Sequence, residues 1–142
     1  MSALRSAVPF RSIVTDQDTR PTALGVDPSA PGFGTHLPFH LILERCGLAW
    51  RDFLMSLGGF DDSVIVPHLS ADFIAEVHVG EIEVDVVPVQ VGTTSFTLRC
   101  TMLQEGQEVA RVDVVLVSFD YADGRKAPLT ESQRAQLLDL LT

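Results

Sequence analysis

The sequence predicts an α+β fold in which a curved antiparallel sheet wraps around one long central helix, with a short helix at the C-terminus. Three observations carry this. A single long segment of helical period, residues 36–57, stands in the first half of the chain. Three long runs rich in Val, Thr and Phe, 81–91, 95–104 and 108–120, fill the second half with a period of two. The breaks between those runs, at Gly92-Thr93 and Glu105-Gly106, are hairpin turns, which makes the runs a meander. With 142 residues the chain is read as one domain over 1–142. Its 46% hydrophobic and 20% charged residues exclude a largely disordered chain and supply a sizeable core.

In chain order, residues 10–15 (FRSIVT) form a short first strand, entered through Pro9 and left through Asp16, Gln17 and Asp18. Residues 19–35 carry three prolines and three glycines, which break any period and predict a long inserted loop. Over 36–57, Leu37, Leu41 and Leu48, and Leu43, Trp50, Leu54 and Leu57, recur at three- and four-residue steps. Thr35 is the expected N-cap, Pro38 falls in the first turn, and Gly58-Gly59 end the helix. Ile42, Cys46, Ala49, Phe53 and Met55 extend the apolar surface almost around the cylinder, predicting a helix covered on most sides. Residues 64–68 and 71–79 read as extended segments. Ile82, Val84 and Val86 alternate with Glu81, Glu83 and Asp85, and Phe96, Leu98, Cys100 and Met102 with Ser95, Thr97, Arg99 and Thr101, so one sheet face is dry. The alternation slips at Val86-Val87, predicting a bulge next to Pro88. Residues 130–133 (TESQ) form a capping box for a C-terminal helix carrying Ala135, Leu137, Leu138 and Leu141.

Ten Lys+Arg against 19 Asp+Glu give a net charge of -9, which repels a nucleic-acid duplex and an anionic lipid surface and argues against both as partners. No apolar run reaches the roughly 20 residues of a membrane helix, and residues 1–9 lack the apolar stretch of a signal peptide, so a cytoplasmic location is expected. Cys46 and Cys100 lack C-x-x-C spacing and sit among apolar neighbours, so both are expected to be buried thiols.

Strand, loop, helix and long-stranded sheet in this order make the hotdog arrangement. Residues 68–81 (HLSADFIAEVHVGE) resemble the 4-hydroxybenzoyl-CoA thioesterase family's pattern of an aromatic followed by Gly-Asp/Glu opening a long strand. Residues 91–96 (VGTTSF) and 106–110 (GQEVA) continue the resemblance, 48–58 (LAWRDFLMSLG) resemble the family's helix end, and the likeness runs from about Phe10 to Asp120. It implies an acyl-CoA thioesterase acting as a homodimer or homotetramer, with its site at the helix N-terminus on a dimer interface and no cofactor beyond the CoA thioester as substrate. Family members often carry Asp-x-Asp-x-x-Gly-His ahead of the helix. Here Asp16-Gln17-Asp18 follows the first strand and Thr35-His36 stands at the helix start, with the loop between them. By its place after the strand, Asp18 matches the family's catalytic acid.

Thioester hydrolysis needs donors for the oxyanion and a base for water. The free N–H groups of a helix N-terminus suit the first task, placing the carbonyl at Gly34, Thr35, His36 and Leu37, where Gly32 and Gly34 permit close approach. The alternative is that 31–34 are only a turn. His36, His40 and Glu44 recur every four residues as a polar stripe. In one reading the stripe lines the substrate channel, with Glu44 as base or nucleophile and His36 orienting water or carbonyl; in the other it faces solvent or a dimer partner. As zinc ligands these three would span about 12 Å along a helix, too far for one ion, so no metal is expected. Asp27 rivals Asp18, although both lie where Asp commonly forms turns. Arg99, Arg111 and Arg125 are the candidates for CoA phosphates, while Ser95 and Ser118 lack a nucleophile elbow. The rival functions are a non-catalytic acyl-CoA or acyl-carrier binding protein and a hotdog hydratase or dehydratase.

Overall fold

A computed structural model describes residues 9–22, 25–61 and 63–141. The residues read against a signal peptide lie almost wholly outside this set. The elements are β1 (Phe10–Val14), α1 (Phe39–Ser56), β2 (Val64–Phe73), β3 (Gly80–Val91), β4 (Ser95–Gln104), β5 (Gln107–Asp120), β6 (Arg125–Lys126) and α2 (Glu131–Leu140). The strands make one antiparallel sheet in the order β1-β3-β4-β5-β2, with the short β6, which the sequence reading lacks, paired to β5.

Period two decides which face of the sheet meets the helix. Along β4, Phe96, Leu98, Cys100 and Met102 are essentially sealed, whereas Ser95, Thr97, Arg99 and Thr101 are half-buried on the other face. On the dry face α1 lays Ile42, Cys46 and Ala49 against Val14, Ile82, Val84, Cys100, Met102 and Val112. Further along, Leu54 packs with Phe60, Phe96, Leu98, Val114 and Leu116, and α2 closes this end with Leu137. Cys46 and Cys100 are free and buried, as expected. The Cys100 thiol is pushed up by its hydrogen bond with Cys46 and by burial, which keeps it protonated and unreactive.

Several boundaries differ from the sequence reading for identifiable reasons. The helix starts at Phe39 with Pro38 as N-cap, not at His36 with Thr35 as N-cap. A residue before proline is pushed out of the α region, so Leu37 stays outside the helix, and its N–H goes to the Val77 carbonyl at 2.7 Å. The helix is also less enclosed than predicted: Phe39, Leu48 and Met55 remain 61%, 48% and 48% exposed, because a single sheet covers only one side. Residues 64–73 form one bulged strand, and 74–79 peel away from the sheet. The expected bulge in β3 falls at Val89, between the Pro88–Leu98 and Gln90–Thr97 pairs. Among the described residues β1 pairs β3 only as far as Val84, so no described strand calls on Pro88 for a ladder hydrogen bond on that side.

The turns follow their chemistry. Glu105 (φ 51) and Gly106 (φ 77) are both left-handed, the two-residue type I′ geometry that suits the twist of flanking strands. At α2, Gln133 N–H donates to Thr130 Oγ1 at 3.1 Å and Thr130 N–H to Gln133 Oε1 at 2.9 Å, completing the capping box.

Candidate functional site

Where 74–79 leave the sheet, a cleft of about 780 Å³ opens against the start of α1. Its floor and walls are Leu37, Pro38, Phe39 and Ile42 on one side and Phe73, Ile74, Ala75 and Val77 on the other. Phe39 and Phe73 meet edge to face at 6.0 Å and stay largely exposed, so two aromatic rings border an open apolar trough. His36, His40 and Glu76 supply its polar groups. The first-turn N–H groups of Phe39 and His40 have no intrahelical acceptor, as at any helix start, and the first bonds of the helix run from Leu41 and Ile42 to the Pro38 carbonyl.

The residues expected to hold the carbonyl are distributed differently. Thr35 does not cap the helix: its hydroxyl donates to the Gly32 carbonyl at 2.7 Å and lies 2.9 Å from Nδ1 of His36. The Leu37 N–H is taken by Val77 and its side chain is buried. Gly34 (φ +80) is approached by the Arg20 guanidinium, which would stand 3.1 Å from an added Cβ and, as the end of a flexible exposed side chain, can give way; it is the left-handed backbone that favours glycine there. The histidine stripe is broken, since His36 precedes the helix. Its Nδ1 lies 3.4 Å from a Glu76 carboxylate oxygen. Among the described residues, no group of three or more His, Cys, Asp and Glu is arranged to hold a metal ion.

Glu44 and Asp18 lie outside the cleft lining. Both stand beside Arg45, Asp18 at 2.9 Å and Glu44 at 3.9 Å, and Glu44 is otherwise exposed. Arg45 is nearly buried and also donates to Ser12 Oγ and the Ile13 carbonyl, fastening α1 to β1. Hydrogen bonds from the Thr15 backbone N–H and hydroxyl, with the Arg45 guanidinium, hold the Asp18 carboxyl below its usual value against the opposing effect of partial burial. Asp27 is exposed and accepts from Ser29 N–H and Oγ, a turn geometry that lowers its pKa, chiefly through the hydroxyl. Each arginine considered for CoA phosphates faces a carboxylate of its own: Arg99 with Asp113, Arg111 with Glu108, Arg125 with Asp123.

Sequence reasoning missed Glu76, His78, Gln104, Phe39 and Phe73 as site-forming residues. For Glu76 and His78 a signal existed, because i and i+2 share a face in an extended segment. Nothing in the sequence pointed to Gln104. It is one of the few buried polar residues, and its carboxamide accepts from His78 N–H at 2.9 Å and donates to the His78 carbonyl at 2.8 Å.

The thioesterase-like superfamily model matches residues 15–137. Among solved structures the chain is similar to a thioesterase from Thermus thermophilus complexed with coenzyme A and Zn, with 23% identity, a TM-score of 0.75, and coverage of 92% of this chain and 97% of that one. It is similar also to a 1,4-dihydroxy-2-naphthoyl-CoA thioesterase from Synechocystis (21% identity, TM-score 0.72, 92% and 95% covered). A third is a hexameric broad-specificity acyl-coenzyme A thioesterase (16% identity, TM-score 0.66, 93% and 92% covered). No curated protein matches the sequence significantly. At these identities the structural likeness establishes the hotdog fold, and the match over 15–137 establishes more: the chain belongs to the thioesterase-like superfamily.

Proposed function

We propose that this protein is an acyl-CoA thioesterase that hydrolyses a CoA thioester to the free acid and CoA, acting in the cytoplasm as a homodimer or a larger assembly of dimers. The observation that carries this is the cleft, an apolar trough of about 780 Å³ that ends on His36, His40 and Glu76 at the first turn of α1. In this reading the acyl group lies between Phe39 and Phe73. The thioester carbonyl meets the unpaired N–H groups of Phe39 and His40, one turn later than the expected Gly34–Leu37 positions, where the positive end of the helix stabilises a developing oxyanion. Gly34, Thr35 and Leu37 serve by shaping the strap that carries His36. Asp18 and Glu44 act from the far side of Arg45: Asp18 fixes the helix to β1, and Glu44 faces outward where a second copy could meet it.

Two of the similar structures are of thioesterases acting on CoA esters and one is hexameric, which supports the substrate class and assembly. Assembly is supported too by β2, a ten-residue edge strand that among the described residues pairs only with β5 and bears Val66, Leu69 and Phe73, all more than 40% exposed. Two free buried thiols are consistent with a reducing compartment. The test is a panel of aromatic and aliphatic acyl-CoAs with released thiol and product acid both quantified. Equal release of CoA and acid is expected. Tight binding without release would instead favour a binding protein, and a hydrated or dehydrated acyl-CoA product a hydratase or dehydratase.

A further inference from the structure

Hydrogen-bond accounting around His36 fixes which of its ring nitrogens carries the proton. Thr35 Oγ1 lies 2.7 Å from the Gly32 carbonyl oxygen; two oxygens that close need a hydrogen between them, and only the hydroxyl has one. The same hydroxyl oxygen, 2.9 Å from His36 Nδ1, is therefore an acceptor in that contact. A Glu76 carboxylate oxygen, also an acceptor, lies 3.4 Å from Nδ1. Both neighbours demand a hydrogen on Nδ1, so the neutral imidazole keeps its lone pair on Nε2.

The carboxylate is held in place by the segment that carries it. Leu37 N–H donates to the Val77 carbonyl, and His78 Nδ1–H to the Thr35 carbonyl at 2.9 Å, joining 76–78 to the strap before α1. On the opposite side, the buried Gln104 grips the backbone of His78 through both its N–H and its carbonyl. The second Glu76 oxygen lies 3.9 Å from His78 Nε2.

We propose that His36 is the general base of the hydrolysis and that Glu76 is its positioning residue, orienting the ring and stabilising the imidazolium; this rests on the thioesterase reading above. His36 Nε2 takes a proton from water as the water oxygen bonds to the thioester carbonyl carbon. The resulting oxyanion is held by the N–H groups of Phe39 and His40. On collapse the C–S bond breaks, its electron pair goes to sulfur, and the imidazolium returns its proton to the thiolate, giving the acid and CoA with His36 restored. Among the described residues, Glu76 faces the His36 ring, His78 bonds the adjoining Thr35 carbonyl, His40 lines the same cleft and the Arg20 guanidinium stands against Gly34.

The test measures CoA release by wild type, His36→Gln, Glu76→Gln and Glu76→Asp from pH 5 to 9, with thermal unfolding of each. His36→Gln should lower kcat by about a hundredfold or more at unchanged Tm. Glu76→Gln should lower kcat by roughly tenfold to a hundredfold with KM little changed, and Glu76→Asp should recover part of the loss. Independently of activity, ¹⁵N shifts of the wild-type His36 ring should show the proton on Nδ1. Wild-type kcat in His36→Gln, wild-type kcat in Glu76→Gln, or a proton on Nε2 each overturns the assignment while the thioesterase reading stands. A wild type that releases no CoA from any acyl-CoA overturns both.

Discussion

Asp18 and Arg45 show how a residue with a catalytic pedigree by position can be occupied with structure. The Asp18 carboxylate accepts from Thr15 N–H at 2.7 Å and from Arg45 Nη2 at 2.9 Å, and Arg45 in turn holds Ser12 and Ile13. Asp18→Asn keeps the shape but weakens bonds to a charged, nearly buried guanidinium, so it should cost about 1–3 kcal/mol in chemical denaturation. Its folded pKa is depressed, so its stabilising contribution is full above the unfolded-state value near 3.8 and is lost as pH falls through that value towards the folded one. The wild type should therefore lose its advantage over Asp18→Asn as the pH is lowered below about 4; a difference that stays constant down to pH 2 would contradict this account. Glu44→Gln, beside the same arginine but exposed, should leave stability within about 0.5 kcal/mol.

Individual elements are legible wherever local chemistry decides them. The alternation of β4 and the Glu105-Gly106 turn can be read directly, because period two and positive φ leave marks on residue type. So can the capping box of α2, where Thr130→Ala should lower stability by about 0.5–2 kcal/mol by removing the acceptor of Gln133 N–H. Unchanged unfolding of that variant would mean that the packing of Leu137, not the cap, fixes this helix. The start of α1 misleads because Leu37 follows helical spacing while Pro38 after it forbids the helical conformation. Residues 74–79 read as strand because they are apolar and alternate. What they do instead depends on long-range partners, Val109 for Ile74 and Ala75, Leu37 for Val77 and Gln104 for His78, none of which any local pattern encodes. The cleft exists because this segment departs from the sheet, so its polar members Glu76 and His78 could not be placed beside His36 from sequence.

At the scale of the whole molecule, the described residues leave two apolar surfaces uncovered: the outward side of α1 with Leu48 and Met55, and the edge of β2 with Val66, Leu69 and Phe73. An edge strand of this length with exposed apolar side chains is a template for another strand. Sedimentation should show a dimer at micromolar concentration, and Leu69→Asp should shift it towards monomer; a folded wild-type monomer would contradict the proposed assembly. Hydrolysis should also proceed unchanged in EDTA, because His36, His40 and Glu44 do not share one helical face around an ion. Activity lost to a chelator and restored by zinc would reverse that conclusion.

The central claim is that thioester hydrolysis takes place in the cleft between the first turn of α1 and residues 73–77. Ala75 lines this cleft with an exposed side chain, so Ala75→Trp can fill the trough without disturbing the core. The decisive measurement is the steady-state rate of CoA release by Ala75→Trp against wild type, on the best acyl-CoA of the panel and at equal Tm. The account predicts clear release by wild type and at least about a tenfold loss of kcat/KM in the variant; equal rates in the two proteins would place the chemistry elsewhere.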